Sequence, residues 1–446
     1  AALQAASLGK RVGLIERKPY LGGGSLQTGT IPSKALREAA YLASRFSSRG
    51  LRDAGQIREQ LHGGFLSEAV GRKQAVIDRH ERLLLNQLMS HGVTLLPGEA
   101  GFVDAHTLSL RNTNGKLQQH SAAVIVLATG SRPRRPADVP FDRERVLDST
   151  SILQMRRLPR RMTIIGGGVI ACEFATIFAP LGVAVSLVDS HDHLLDYLDK
   201  DIQQTLEHDL LDLGVQLHMK TRIKQIERQD QQVLLETDSG VRLETDVVLY
   251  ALGREPNYNG LELDAVGMKA DDQGWVRINE HHQTCHDHIY IIGDLAGRPS
   301  LASTAMEQGR LAVNHGFGRR TAAPAGLLPM AIYTIPELSW VGNTERQLQQ
   351  QGVDYVVGRA RFSETARGQI IGEERGFIKL LVDRGSRDLL GVHIIGESAS
   401  ELVHIGQLAM NCGAGVDLLA NTVYNYPTLA HCYKSAALDC LQQLQG

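Results

Sequence analysis

The sequence is poor in cysteine, and none of its cysteines stands in a metal-binding or redox motif. The five are Cys172, Cys285, Cys412, Cys432 and Cys440, with no C-x-x-C spacing among them. Such scattered positions predict neither a zinc site nor a disulfide framework. A reducing cytoplasm is therefore the expected location.

Long apolar runs and a strong net charge are also absent. No segment approaches the roughly 18 apolar residues of a membrane-spanning helix, so no membrane partner is expected. The net charge is −2, which gives no reason to expect nucleic-acid binding. With 446 residues and 43% hydrophobic content, the chain can form two or three ordinary globular domains.

One stretch near the start combines consecutive glycines with the start of a helix. Gly22, Gly23 and Gly24 allow the backbone to approach a ligand closely, and Ser33 follows Pro32 at the predicted helix start. The free N–H groups of that first turn would face the ligand. Lys34 places a cation in this first turn, where the helix dipole disfavours it, and is therefore a candidate functional residue.

A second stretch contains a dinucleotide-binding fingerprint together with the strands, the helix and the acidic residue that normally surround it. The motif Gly166-x-Gly168-x-x-Ala171 follows a predicted strand, opens a helix and is succeeded by a strand ending at Asp189. The glycines permit a tight turn at the pyrophosphate, and the acid can hold ribose hydroxyls.

Asp189 favours NAD(H) over NADP(H), because a 2′-phosphate would meet a carboxylate. His191 and His193 could soften this preference, but arginines would be expected for a firm phosphate grip. We interpret the two histidines as surface residues.

The beginning of the chain repeats part of this unit. Leu8-Gly9 and Glu16 align with Leu181-Gly182 and Asp189 at one constant offset. The repeat predicts a first βαβ unit truncated at its N-terminus, whose strand and glycine turn would precede Ala1.

The segment from Gly22 to Lys34 resembles the flavin-facing segment of the pyridine nucleotide–disulfide oxidoreductases, G-G-x-C-x-x-x-x-C-I-P-S-K. Ser25 and Thr30 stand at the two cysteine positions. Residues Gly29 to Arg37 match a branch of the family that transfers hydride between NADPH and NAD+ through FAD. Two hydroxyl residues cannot form the redox disulfide, so thiol reduction is not expected.

The resemblance implies an α/β fold with two Rossmann-like domains and a C-terminal α+β dimerisation domain. The expected boundaries are 1–148 and 276–322 for FAD, 149–275 for NAD(P), and 323–446 for the dimerisation domain. A connector at 321–329 precedes the last domain, and residues 38–95 show helical periodicity.

The resemblance also implies binding residues for FAD, NAD(H) and NADP(H). They are Glu16, Gly23, Gly24, Thr30, Lys34, Ala100, Thr129, Gly130, Gly166, Gly168, Ile170, Glu173, Asp189, Gly253, Arg254, Gly293, Asp294 and Ala302.

Four residues are expected to be catalytic by the same resemblance. Lys34 and Glu173 correspond to an ion pair beside flavin N5. Tyr426 and His431 correspond to the histidine and glutamate of H-P-T-x-x-E in the disulfide reductases. The role of His431 is open, with a packing or interface histidine as the alternative. In this family the Tyr426 segment completes the flavin site of a neighbour, which implies a homodimer.

Three other functions compete with hydride transfer between nicotinamides. An NAD(P)H diaphorase or quinone reductase would pass electrons to a small acceptor. A lipoamide dehydrogenase is disfavoured by the missing cysteines. A flavin-binding pseudoenzyme is suggested by the truncated first unit and by His431.

Overall fold

The computed structural model describes residues 1–48, 66–297, 299–320 and 326–445. Part of the helical region predicted for 38–95, and most of the connector predicted for 321–329, lie outside these residues. The expected α/β architecture, with a redox domain followed by a dimerisation domain, is confirmed.

The bounds of the regular elements are as follows. The helices are α1 (Ala2–Ser7), α2 (Thr30–Ser48), α3 (Leu66–Ser90), α4 (Val169–Phe178), α5 (Lys200–Asp212), α6 (Ala302–Gly316), α7 (Glu345–Gln351), α8 (Ala366–Ile371), α9 (Ala399–Asn411), α10 (Val416–Asn421) and α11 (His431–Gln445). The strands are β1 (Gly13–Glu16), β2 (Thr94–Asp104), β3 (Thr107–Asn112), β4 (Leu117–Ser121), β5 (Ile125–Leu127), β6 (Ser131–Pro133), β7 (Val146–Asp148), β8 (Arg161–Ile165), β9 (Ala184–Val188), β10 (Gln216–His218), β11 (Ile223–Arg228), β12 (Val233–Thr237), β13 (Arg242–Thr245), β14 (Val247–Tyr250), β15 (Arg254–Pro256), β16 (Ile289–Ile291), β17 (Met330–Ile332), β18 (Leu338–Gly342), β19 (Tyr355–Arg361), β20 (Phe377–Asp383) and β21 (Leu389–Ile395).

The second domain is built on a five-stranded parallel sheet. Its strand order is β10-β9-β8-β14-β7, with α4 following β8 directly. The strands are buried on both faces and are accordingly rich in Val, Ile and Leu. Strand β7 belongs to this sheet and precedes the expected boundary at residue 149.

The first domain carries two groups of strands. β1 pairs in parallel with β2, which continues into the antiparallel order β2-β3-β4, while β5 pairs in parallel with β16. The β5–β16 pairing brings the chain back to the first domain after the nucleotide domain. Within the described residues no strand joins these two groups.

The last domain is a five-stranded antiparallel sheet in the order β17-β18-β21-β20-β19. Its core includes Val392, Ile394, Val403, Tyr433 and Cys440, which come from the sheet and from α9 and α11. Among the described helices, none is both long enough and apolar enough to cross a membrane.

One local expectation is wrong. The helix expected to start at Ser33 begins at Thr30, and the Ser33 hydroxyl donates to the Thr30 carbonyl oxygen inside its first turn at 3.2 Å. Strand β2 runs from Thr94 to Asp104, because it pairs with β1 at its start and Gly98 to Phe102 pair with β3. The structure therefore places Ala100 inside a strand.

Candidate functional site

The centre of the site is an ion pair between two domains. Lys34, the fifth residue of α2 and not in its first turn as expected, places its Nζ 2.8 Å from each carboxylate oxygen of Glu173 on α4. Glu173 is buried, with 7% of its side chain exposed, whereas Lys34 keeps 26% of its side chain in solvent. The lysine thus presents a cation to the space in front of α2 and is oriented by a buried carboxylate.

The last domain contributes a third group to this centre. The backbone N–H of Tyr333 donates to Glu173 Oε1 at 3.0 Å, and the Tyr333 ring lies 4.7 Å from Lys34 Nζ. A cation over an aromatic ring is attracted to it. Sequence reasoning missed Tyr333, because a donor on the main chain has no signature in the side-chain pattern.

Neighbouring contacts keep α2 in place against the last domain. Arg37 donates from Nε and Nη2 to the Thr334 carbonyl oxygen at 3.3 and 3.2 Å. Its Nη1 lies 3.3 Å from Glu337 Oε1. Arg37 is itself buried, so these charge-assisted bonds fix the position of Lys34 one turn earlier.

The second nucleotide unit forms the turn that its motif predicts. Gly166 has φ +121°, a value that favours glycine, and Gly168 directly precedes α4. Gly167, which the sequence analysis did not select, donates its N–H to Asp189 Oδ2 at 2.5 Å. A Cβ on Gly167 would lie 3.0 Å from Asp189 Cγ, so the middle glycine lets the acid reach the turn.

The other oxygen of Asp189 is held by His191. Oδ1 accepts the His191 backbone N–H at 2.8 Å and lies 2.6 Å from the imidazole Nδ1. Asp189 is buried, whereas 68% of the His191 side chain is exposed. His193 is also exposed and faces Glu207, with Nδ1 and Oε1 3.3 Å apart.

Polar groups from both sides of the boundary between the first and second domains meet at the carboxyl ends of β5 and β16. Asp294 Oδ2 accepts the Ser131 hydroxyl at 2.6 Å, and Arg254 donates through Nε to the Ser131 oxygen at 2.8 Å. Burial lowers the pKa of Arg254, although the nearby charge of Asp294 opposes that effect. The Asn257 side-chain amide donates to the Thr129 carbonyl oxygen at 3.3 Å, and its Oδ1 is buried with no hydrogen-bond partner among the described residues.

The remaining predicted residues lie at or near the ends of strands and helices, except Ala100, which lies inside β2. Glu16 ends β1 and accepts the Lys18 N–H, Gly130 and Gly253 have positive φ, and Gly293 donates to Gln308 at 2.7 Å. Gly23 precedes a π-helical turn that begins at Gly24, Thr30 and Ala302 begin α2 and α6, Ile170 lies in the first turn of α4, and Ala100 lies in β2.

Tyr426 and His431 lie together but apart from this centre. Their rings meet edge to face at 6.0 Å between centroids, and the Tyr426 side chain is strongly exposed. Within the described part of the chain, His431 Nδ1 is buried and has no hydrogen-bond partner. In the part of the chain that the structure describes, no hydrogen bond, ion pair or ring contact joins either residue to Lys34.

The residues at the strand ends fit dinucleotide ligands. In α/β sheets such ligands bind outside the carboxyl ends of the strands, and both sets of polar groups lie there. Asn257 Oδ1, which has no hydrogen-bond partner among the described residues, offers an acceptor, and the glycine turn beside Asp189 has no side chains that would keep a ligand away. Two sets of polar strand ends and a lysine–glutamate pair that links the first and second domains form the architecture of an oxidoreductase that uses dinucleotides.

The chain belongs to the pyridine nucleotide-disulphide oxidoreductase family. The family's main domain matches residues 1–309, and its dimerisation domain matches residues 328–437. The resemblance recognised in the motifs is thereby confirmed.

Relatives of known name resemble the whole chain. Soluble pyridine nucleotide transhydrogenases from Mycobacterium bovis and Vibrio atlanticus are each 40% identical over 100% of this chain, and 95% and 96% of their own lengths are covered. Among solved structures, LpdA from Mycobacterium tuberculosis matches with TM-score 0.88 and 27% identity, covering 98% of this chain and 96% of the other. The flavoprotein disulfide reductase RclA from Escherichia coli matches with TM-score 0.87 and 25% identity over the same shares.

Proposed function

We propose that this protein transfers hydride from NADPH to NAD+ through bound FAD, without a redox-active disulfide. The observation that carries the proposal is the Lys34–Glu173 pair at the junction of the two nucleotide domains. The transhydrogenase relatives over the full length support the same reaction. Ser25 and Thr30 at the cysteine positions support the route without thiols.

Residues of the first domain, together with the segment after β15 that pairs with its strand β6, would hold FAD. Glu16 and Asp294 offer carboxylates for hydroxyl groups, and Asn257 offers its unpartnered oxygen. When bound, FAD supplies a ring that accepts hydride from one nicotinamide and returns it to another. The donor set fits this ligand because it combines acceptors, exposed backbone turns and one cation.

Lys34 would stabilise negative charge that develops in front of α2. Its amino group is fixed by two bonds to Glu173, so little reorganisation is needed when charge appears. The buried Glu173 keeps that orientation through its bond from the Tyr333 N–H. Both nicotinamides would use the same groove beside Gly166, Gly168 and Asp189 in turn.

The assembly that we propose is a cytoplasmic homodimer. The chain contains the family's dimerisation domain, and the exposed Tyr426 lies at its C-terminal part. All five cysteines are free, which suits a reducing compartment.

The test uses the purified, FAD-loaded protein with NADPH and thionicotinamide-NAD+. The reduced form of this analogue absorbs at a wavelength different from that of NADPH, so the two can be followed separately. We expect reduced thionicotinamide-NAD+ to form without added thiol or quinone. Reduction of quinone with no hydride passed to NAD+ would indicate a diaphorase. A flavin that NADPH cannot reduce would indicate a pseudoenzyme, and turnover dependent on lipoamide would contradict the thiol-free route.

A further inference from the structure

The proposed reaction, on which this inference rests, requires one groove to accept two dinucleotides that differ by a 2′-phosphate. Asp189 directly follows β9, at the position where a dinucleotide fold binds the adenosine ribose. Its carboxylate suits a free 2′-hydroxyl but repels a phosphate that carries up to two negative charges. The groove therefore needs a means of cancelling the Asp189 charge when NADPH binds.

His191 is positioned to cancel this charge. Its Nδ1 lies 2.6 Å from Asp189 Oδ1, close enough for a charge-assisted hydrogen bond. Its backbone is fixed on both sides, because its N–H donates to Asp189 and its carbonyl accepts the Lys220 N–H at 3.0 Å. With Nδ1 turned toward Asp189, the other ring nitrogen, Nε2, lies on the opposite side of an exposed ring.

The surrounding charges favour a protonated imidazole at His191. The hydrogen bond with Asp189 and the charges of Asp189 and Asp196 raise the pKa of His191, while Arg222 opposes them. Lys220, whose backbone N–H donates to the His191 carbonyl, has its amino group 3.1 Å from Asp192 Oδ2, so these two opposite charges offset each other. His193 faces Glu207 and not Asp189.

We propose that His191 sets the choice between 2′-phosphorylated and unphosphorylated dinucleotides by its protonation. The imidazolium neutralises Asp189 and directs its second N–H toward the 2′-phosphate, so NADP(H) is accepted. The neutral imidazole leaves the carboxylate charge in place, so NAD(H) is preferred. The preference for phosphorylated ligands then falls as the pH rises through the raised pKa of His191.

The test measures binding and does not depend on turnover. Dissociation constants of 2′,5′-ADP and of 5′-ADP are determined by calorimetry on the FAD-loaded protein from pH 6.5 to 9. The 2′-phosphate, whose second pKa is about 6, stays largely doubly charged in this range. We expect the preference for 2′,5′-ADP to fall about tenfold across it, the size of one charge-assisted hydrogen bond.

Three variants separate His191 from its surroundings. His191→Ala is expected to show a low preference at every pH, and His191→Arg a high preference at every pH. His193→Ala, the matched control on the same loop, is expected to titrate like the wild type. A wild-type preference that does not change with pH, a His191→Ala variant that titrates normally, or a failure of the wild type to bind either fragment would overturn the proposal.

Hydride transfer from NADPH to thionicotinamide-NAD+ is measured on the same preparations. Its absence with a normal pH-dependent binding preference would reject the proposed function and leave the assignment of His191 standing. Normal turnover, with a binding preference for 2′,5′-ADP that the His191 variants do not change, would support the proposed function and reject the assignment of His191.

Discussion

Lys34 and Glu173 are 139 positions apart in the chain, yet Lys34 Nζ lies 2.8 Å from both carboxylate oxygens of Glu173. The lysine comes from the first domain and the glutamate from the second. The pair is therefore a consequence of the tertiary fold, and each partner depends on the other for its orientation.

Replacing the lysine tests this pair directly. We expect Lys34→Met to slow flavin reduction by NADH and by NADPH alike, by about tenfold or more, since a fixed cation near developing charge is lost. Stopped-flow absorbance at several nucleotide concentrations measures the rates. Lys10→Met, which removes an exposed lysine packed on Phe317, is the control. Unchanged rates in Lys34→Met would show that the lysine has no part in the reaction.

Replacing the acid of the nucleotide turn should alter the cofactor preference. Asp189→Asn removes the charge that repels a 2′-phosphate and weakens the acceptor for ribose hydroxyls. We expect the ratio of NADPH to NADH affinity to rise, together with some loss of stability, because the Gly167 N–H loses a charged acceptor. Stopped-flow titrations with each cofactor measure the ratio, and thermal melting measures the stability. Equal weakening of both cofactors would contradict the assignment of Asp189 to the ribose.

A second buried ion cluster joins the nucleotide domain to the last domain. Lys379 on β20 is fully buried, and its Nζ lies 2.6 Å from Asp199 Oδ1 and 3.0 Å from Asp201 Oδ2. Its amino group also contacts Glu345. We expect Lys379→Met to lower the free energy of unfolding at pH 7 by roughly 3–5 kcal/mol, because uncompensated carboxylates stay buried. Urea unfolding measures the change, and Arg384→Met, at an exposed ion pair, is the control.

The ion cluster around Lys379 also predicts how the difference in unfolding free energy between the wild type and Lys379→Met depends on pH. Burial raises the pKa of Asp199, but the backbone N–H of Glu345 and the amino group of Lys379 outweigh it and hold the pKa below its usual value. A carboxyl group with a lowered pKa stabilises the fold above its unfolded pKa of about 3.9 and loses that contribution on acidification. We therefore expect the gap between the wild type and Lys379→Met to narrow below about pH 4. A gap that is the same at pH 7 and below pH 4 would show that these carboxylates are not its source.

The exposed aromatic of the last domain tests the proposed dimer. The Tyr426 side chain is 73% exposed in the single chain, a large area for an aromatic side chain to leave in solvent. We expect the wild type to sediment as a dimer. The Tyr426→Asp dimer should dissociate into monomers at a higher protein concentration than the wild type, because a charge would be buried in the interface. Leu117→Asp on β4, an exposed apolar position in the first domain, should sediment like the wild type. A fully active wild-type monomer would contradict the dimer.

The sequence predicted the second nucleotide unit well because its signals are local. The strand before Gly166, the turn and the acid at Asp189 follow one another within one βαβ unit, and the structure reproduces that order. The start of α2 was misjudged because Ser33 has the side chain of a cap, whereas its hydroxyl bonds back to Thr30 within the helix. Local propensity cannot distinguish these two uses of one hydroxyl.

The parts of the site that escaped prediction depend on distant contacts. Tyr333 acts through its main chain on a residue 160 positions away, and no residue type is required for a backbone donor. Gly167 is needed because the Asp189 carboxylate crosses the turn, which is visible only when both are placed in space. The exposure of His191 agrees with its interpretation as a surface residue, but its bond to Asp189 could not be read from its position.

Glu173 and Lys379 attach the nucleotide domain to the last domain at two separate places. Arg375 adds a third attachment, with Nη1 2.9 Å from Asp209 Oδ1 on α5. Rotation of the nucleotide domain about any one of these contacts would break the other two. Exchange of one nicotinamide for the next should therefore proceed by movement of loops and side chains over a fixed framework, so that its speed follows the release of the nucleotide and not the closure of a domain.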